Sequence, residues 1–193
     1  MVKKFFKDKN FKRMALGKIP MGKAATESDD IMLNKASRVL QNWDRCTNND
    51  SKGAVLFKEW VDVSGFKIDK PELFKIPWDE TQPMITPQGI KNIDIALKNL
   101  KSVSLEVINK YDSLDVAWGD VYRIIIQDIN LPSNGAPGDP YGVFRVTAYK
   151  PIKDNHYAAV GGDSFQAIIE FSNPLKALVS IGYGNASQKN SIH

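Results

Sequence analysis

The chain has 193 residues, 42% of them apolar and 25% charged, with a net charge of +4; that size and balance fit one globular domain with its own core and exclude a disordered or fibrous chain. Its longest apolar runs, around Ala54-Val55-Leu56-Phe57 and Ile124-Ile125-Ile126, are a few residues long, far short of the roughly 18 to 20 that a membrane helix needs. Its single cysteine, Cys46, leaves no internal disulfide, so the fold must be held by its core.

The first 23 residues carry eight basic side chains and one acidic one. That is a net +7, so the remaining 170 residues carry +4 minus 7, or −3, and the basic character belongs to the N-terminal segment. Phe5-Phe6 and Met14-Ala15-Leu16 are interrupted by charge, whereas a secretory signal needs an apolar stretch of about 7 to 15 residues. Residues 1–27 therefore read as a basic, flexible tail without a signal, which would leave the chain cytoplasmic if expressed alone. Residues 28–193 read as a single α+β domain.

From Asp29 to Trp43 the apolar positions Met32, Ala36, Val39, Leu40 and Trp43 fall at helical spacing, with Ser28 or Asp29 available as N-cap. A second helix, Lys52 to Val61, presents Leu56, Phe57 and Trp60, with Asp50-Ser51 as its cap. Pro71 to Pro87 reads as a linker rich in turn residues. Thr86-Pro87 then reads as an N-cap with proline in the first helical position, opening a helix from Gln88 to Tyr111 with Ile90, Ile93, Leu97, Leu100, Ser104, Val107 and Tyr111 on one stripe. Past Trp118-Gly119-Asp120 the pattern turns to strands: Val121–Gln127, Val143–Tyr149, Gln166–Phe171 and Lys176–Tyr183, separated by Asn, Gly, Pro and Asp clusters. Helices followed by strands predict an α+β fold, an antiparallel sheet covered by helices on one side.

Side chains able to do chemistry are sparse. Cys46, His156 and His193 lack metal-ligand spacing, so no metal site is assigned. Asp139, in Asn134-Gly135-Ala136-Pro137-Gly138-Asp139, does not have the spacing of a calcium loop and reads as a turn. Ser164 follows Gly161-Gly162-Asp163, and His156 is the base that would serve it. A nucleophile elbow, however, needs Gly-x-Ser-x-Gly at a strand-to-helix turn, and Ser164 leads into a strand. A hairpin is the simpler use of those glycines. The basic and aromatic residues near Phe5-Phe6 and Phe11-Lys12-Arg13 come with no nucleic-acid-binding signature. Cys46, beside Arg45, has no histidine near it in sequence and reads as unreactive.

An ordered set of short segments carries more information than any of these. It comprises Val39-Leu40 with Trp43-Asp44-Arg45; Asp50-Ser51-Lys52-Gly53-Ala54-Val55-Leu56-Phe57; Thr86-Pro87-Gln88-Gly89-Ile90; Trp118-Gly119-Asp120-Val121-Tyr122-Arg123; Leu131 to Val146; Gly162 to Phe171; and Tyr183 to His193. Together they resemble the penicillin acylase family, and within it the acyl-homoserine-lactone acylase branch, over about residues 33–193. The resemblance implies a C-terminal part of the large (beta) chain of an N-terminal-nucleophile hydrolase with a layered αββα body. In such enzymes a precursor cuts itself, and the new N-terminal serine of the large chain attacks an amide. That serine needs a free α-amine, whose pKa near ~8 lets it act as base for its own hydroxyl, and oxyanion donors for the tetrahedral intermediate.

The resemblance places the nucleophile and the oxyanion asparagine upstream of the matched segment, and Met1-Val2 offers no nucleophile. No catalytic, cofactor-binding or metal-binding residue is therefore assigned to this chain. No cofactor is implied, and the chain alone is expected to be inactive. The implied partners are the remainder of the acylase, that is, the upstream large-chain segment and the small chain, with an acyl amide as substrate of the whole enzyme. No nucleic acid is expected, and the parent family is periplasmic. The rival reading is a non-enzymatic binding domain whose basic tail docks on nucleic acid or an anionic membrane.

Overall fold

A computed structural model describes residues 30–67, 69–83, 85–138 and 145–181. The basic segment, Asp139, Gly142-Val143-Phe144 and the terminal motif from Tyr183 onward lie outside the described residues. Helix α1 (Ile31–Asn42) is capped by Asp30, whose carboxylate accepts from the amides of Met32 and Leu33. The cap thus sits one residue beyond Asp29 and two beyond Ser28, the positions expected from sequence. Helix α2 (Ala54–Ser64) starts after Gly53 at φ +93, without a side-chain cap. A β-carbon on Gly53 would come within 2.8 Å of the Trp43 side chain, so glycine allows both the left-handed turn and the close approach.

A short 3₁₀ turn (Pro71–Leu73) leads into β1 (Phe74–Ile76), which pairs antiparallel with β2 (Gln88–Ile90). The expected linker thus contains structure, and Gln88 opens a strand instead of a helix. The physical reason lies in Thr86, whose hydroxyl donates to the Gln82 carbonyl at 2.9 Å and accepts from the Asp79 amide at 2.9 Å. It closes its own turn and caps nothing downstream. Helix α3 (Ile93–Tyr111) begins after Asn92, whose side chain accepts from the Ile95 amide.

After α3 come the four-residue helix α4 (Trp118–Val121) and the strands β3 (Tyr122–Ile126), β4 (Ile129–Pro132), β5 (Thr147–Pro151), β6 (Tyr157–Gly162), β7 (Phe165–Glu170) and β8 (Lys176–Ile181). The first four of these strands form one sheet in the order β4-β3-β6-β5, and β7 and β8 form a separate hairpin. The α+β class is as predicted. Two features depart from the antiparallel sheet expected: β3 and β6 run parallel, with Tyr122 beside Tyr157, and the late strands do not join a single sheet. The strand expected at Val143–Tyr149 starts at Thr147, and β4 and β6 were not anticipated.

The core lies among the helices and the near end of the sheet. Helix α2 is buried almost all round, with Val55, Leu56, Phe57 and Trp60 inside, and α3 contributes Ala96, Leu100, Val103 and Val107. The Trp60 indole donates to the Ala96 carbonyl at 3.0 Å, fastening α2 to α3. Trp118 and Tyr122 close the core on the sheet side. Burying aromatics of this size, at about 25 cal/mol per Å² of apolar surface, is the largest stabilising term the chain has.

Candidate functional site

Four of the segments singled out in the sequence, Val39–Arg45, Asp50–Phe57, Trp118–Arg123 and the described part of Leu131–Val146, converge on one place. Trp43 ends α1 with its ring against Phe57, centroids 4.7 Å apart, and its indole donates to the Cys46 carbonyl at 2.8 Å. Asp44 accepts from the Cys46 amide at 2.9 Å and from the Ser51 hydroxyl at 3.0 Å, and the same hydroxyl accepts from the Asn48 amide. This pins the loop between α1 and α2 into a fixed shape.

That loop is clasped by residues far along the chain. The amide of Trp118 donates to the Ser51 carbonyl at 3.0 Å, and that of Gly119 to the Asn49 carbonyl at 2.8 Å. From the third segment, the Asn134 side chain accepts from the Asn49 amide at 2.6 Å, and the Gly135 amide donates to the Thr47 carbonyl at 3.0 Å. Arg123 uses its fork locally, on the Gly119 carbonyl at 2.6 Å, the Asn130 side chain at 2.8 Å and the Asn130 carbonyl at 3.2 Å. Backbone groups satisfied this way leave the three segments nearly interlocked.

Beneath the clasp the aromatic rings stack. Trp118 lies on Tyr122 at 3.9 Å and 12°, Tyr122 on Tyr157 at 5.0 Å and 17°, and Tyr149 meets Tyr122 edge-on at 4.7 Å. The Tyr149 hydroxyl sits 2.9 Å from the buried Ser133 hydroxyl and points at the carbonyls of Gly135 and Asn134, at 3.0 and 3.2 Å. Burial pushes the Tyr122 phenol well up, with the Glu59 carboxylate adding to it. Burial also raises the Tyr149 phenol, though its bond to Ser133 opposes the shift. Both therefore stay protonated near neutrality, Tyr122 as a packing group and Tyr149 as a packing and hydrogen-bonding one, not as proton carriers.

What this arrangement can do chemically is limited. Ser51 and Ser133 are buried and committed to Asp44 and Tyr149, and among the described residues neither has an imidazole as a base. Ser164 lies exposed just beyond the end of β6, and His156 immediately before its start. At ~3.3 Å per residue, that strand holds the two roughly 20 Å apart. The structure does not bring them together. Gly161-Gly162-Asp163 also makes a corner between sheets instead of the expected hairpin: Asp163 accepts from the Val146 amide at 3.0 Å and from the Gln166 side chain at 2.9 Å. A β-carbon on Gly162 would run into the Val146 carbonyl oxygen, which explains the glycine there.

Among the described residues, clefts open on the surface at two places. One, of about 350 Å³, runs between the end of α2 and the start of α3, with Phe66, Ile90 and Ala96 on its floor and Ser64, Asn92 and Asn99 at its rim. Asn99 bonds Ser64 at 3.3 Å and Asn92 caps α3, so the polar rim serves the protein itself. The other, of about 510 Å³, is flanked by Asp120, Arg123, Lys153 and His156, but the Arg123 guanidinium is already spent on Gly119 and Asn130. Among the described residues no group of three or more His, Cys, Asp or Glu side chains is placed to hold a metal ion. Nor is any helix of the described residues long and apolar enough to cross a membrane.

A match to the penicillin amidase family spans residues 6–193. The chain therefore belongs to the penicillin amidase family. The match reaches well into the basic segment, whereas the motifs read from sequence extend only from about residue 33. The residues that sequence reasoning did not single out are Asn49, Asn134 and Tyr149, which do the fastening. Asn134 lies within the segment Leu131 to Val146, whereas Asn49 and Tyr149 lie just outside the segments and carried no signal of their own.

Proposed function

We propose that this chain is a scaffold portion of an acylase-like amide hydrolase, from the C-terminal part of the large chain, whose serine nucleophile is supplied by polypeptide outside it. The parent enzyme would cleave the amide between an acyl group and an amine, with acyl-homoserine lactones as the favoured substrate class. The observation that carries this reading is the clasp. The segments that form the clasp are spent on hydrogen bonds that lock loop to loop, and the serine hydroxyls there, Ser51 and Ser133, are buried and already bonded. Such a region holds other groups in place instead of attacking a substrate.

Its chemical contribution is then rigidity. An N-terminal serine and its oxyanion donors work only when held to within about 0.5 Å of the productive geometry, and a body fixed by the Trp118–Tyr122–Tyr157 stack offers such a support. In this reading the basic segment, residues 1–27, is a tail and residues 28–193 one domain, and the partner is the remainder of the acylase.

The test is direct. The purified chain is incubated with an acyl-homoserine lactone and with a penicillin-type amide, and released amine is measured. No release is expected. Restored hydrolysis on adding the nucleophile-bearing acylase polypeptide would support the scaffold role, whereas turnover by the chain alone would refute it. Turnover lost in Ser164→Ala would pass the role of nucleophile to Ser164.

A further inference from the structure

Tyr122 carries a polar atom that its packing does not use. The ring stacks on Trp118 and on Tyr157 and is met edge-on by Tyr149, and the residue is 1% exposed. A phenylalanine would pack in the same way. The hydroxyl, sealed from solvent, has no hydrogen-bond partner among the described residues. A buried hydroxyl left unbonded gives up its hydration for nothing, and the large majority of buried side-chain polar atoms do find a partner, in the protein or in ordered water.

The charged groups beside this phenol come from α2. Lys58 sets its Nζ 6.0 Å from the centre of the Tyr122 ring and 5.9 Å from that of Tyr157. The same ammonium donates to Asp62 at 2.8 Å and to Glu59 at 3.4 Å, which brings carboxylate oxygens to the stack. With side chains only 16% and 19% exposed, Lys58 and Glu59 are themselves largely withdrawn from solvent. After burial, the Glu59 carboxylate is the strongest influence raising the Tyr122 phenol, ahead of Tyr157, Tyr111 and Asp62. Tyr111 is already committed, its hydroxyl donating to the Asn155 carbonyl at 3.1 Å. We propose that one internal water bridges Tyr122 to Glu59, accepting from the phenol hydroxyl and donating to the carboxylate. Two polar partners are enough to hold an internal water, and a bridge of this kind is nearly as good as a direct bond. It ties β3 to α2 and fixes the direction of the hydroxyl beneath the clasp.

A crystal structure of the full chain, at a resolution where ordered waters are seen, tests this directly. The expected map has one water about 2.5 to 3.0 Å from the Tyr122 oxygen and within the same reach of a Glu59 oxygen. A map with nothing at that position, or with the Glu59 carboxylate bonded to Tyr122 itself, overturns the inference. Urea unfolding of Tyr122→Phe, made in the wild-type chain and in Glu59→Met, supplies the energetic test. Near-UV circular dichroism from the buried Trp43, Trp60 and Trp118 reports whether each variant keeps its core. Removing the hydroxyl should lower the folding equilibrium constant about fivefold in the wild type, and less than ~twofold in Glu59→Met, where the water has lost its acceptor. A Tyr122→Phe chain as stable as wild type, or more so, means that the hydroxyl bonds nothing. An equal loss in both backgrounds means that its partner is not reached through Glu59. Either result overturns the inference, and the wild-type map decides where a variant does not fold. None of these readouts depends on amide hydrolysis.

Discussion

Replacing Gly119 with alanine should loosen the clasp. A β-carbon at this position would lie 2.6 Å from the Pro132 β-carbon, 2.8 Å from the Asn49 carbonyl oxygen and 2.9 Å from the Asn49 β-carbon. Carbon atoms rest at about 3.5 to 4.0 Å from one another, so the neighbours must retreat by roughly 0.5 to 1 Å. One of them is backbone, with little freedom to move. Overpacking of this kind costs ~1 to 3 kcal/mol. The retreat also stretches the 2.8 Å bond from the Gly119 amide to the Asn49 carbonyl, worth about 1 kcal/mol. Alanine returns roughly 0.5 to 1 kcal/mol by reducing the freedom of the unfolded chain. The net loss is ~1 to 3.5 kcal/mol, which for a chain of this size lowers Tm by roughly 2 to 14 °C. Urea and thermal unfolding followed by tryptophan fluorescence measure it. Gly65→Ala is the comparison: its β-carbon would meet nothing within 4 Å but would sit at φ +66, which costs about 1 kcal/mol from backbone strain alone. A Gly119→Ala chain that melts within about 1 °C of wild type would refute the interlocked reading of the clasp.

Tyr149→Phe removes the hydroxyl that meets Ser133, Asn134 and Gly135 and should cost ~1 to 2 kcal/mol in denaturant titration, since the buried Ser133 hydroxyl loses a partner. Asp30 is held below its ordinary carboxyl range by its bond to Lys101, and further by the amides of Leu33 and Met32. A carboxyl lowered by folding stabilises above its unfolded value of 3.8 and loses that contribution as pH falls through its folded one. Wild type and Asp30→Ala should therefore differ in Tm at pH 7 and converge as the pH drops below about 4; a gap that persists at low pH would show that charge is not the cause. Ser164→Ala, at an exposed corner, should leave Tm within about 1 °C of wild type, as surface changes usually do.

The helices were legible because their periodicity is local. Leu100, Ser104 and Val107 lie on one face of α3 at spacings that no other structure gives, and they are buried there. The start of α3 was misread because Thr86-Pro87 and Asn92 both look like helix openings, and only the bonds of Thr86 back to Gln82 and Asp79 separate them. Strand β6, Tyr-Ala-Ala-Val-Gly-Gly, has small residues and no alternation because it lies between two strands, β3 and β5, and does not lie at an edge. Strand β4 is short, ends in Pro132 and lies at the sheet edge, where proline is tolerated but propensity is silent. Of the candidate site, the participating segments were visible in sequence, whereas their meeting depends on bonds such as Asn134 to Asn49 that no local pattern encodes.

The clasp also sets an order of events during synthesis. Asn49 and Asn134 are 85 positions apart, and a ribosome adding ~5 to 20 residues per second needs roughly 4 to 17 s to cover that interval. Through that time α1 and α2 can form and collapse on each other, yet the loop between them waits with its amides in water. The nascent chain therefore passes through a helical stage with an unfastened loop and an uncovered Trp43–Phe57 surface, and chaperone binding or proteolytic cleavage would be concentrated between residues 43 and 53 until Ser133 and Asn134 emerge.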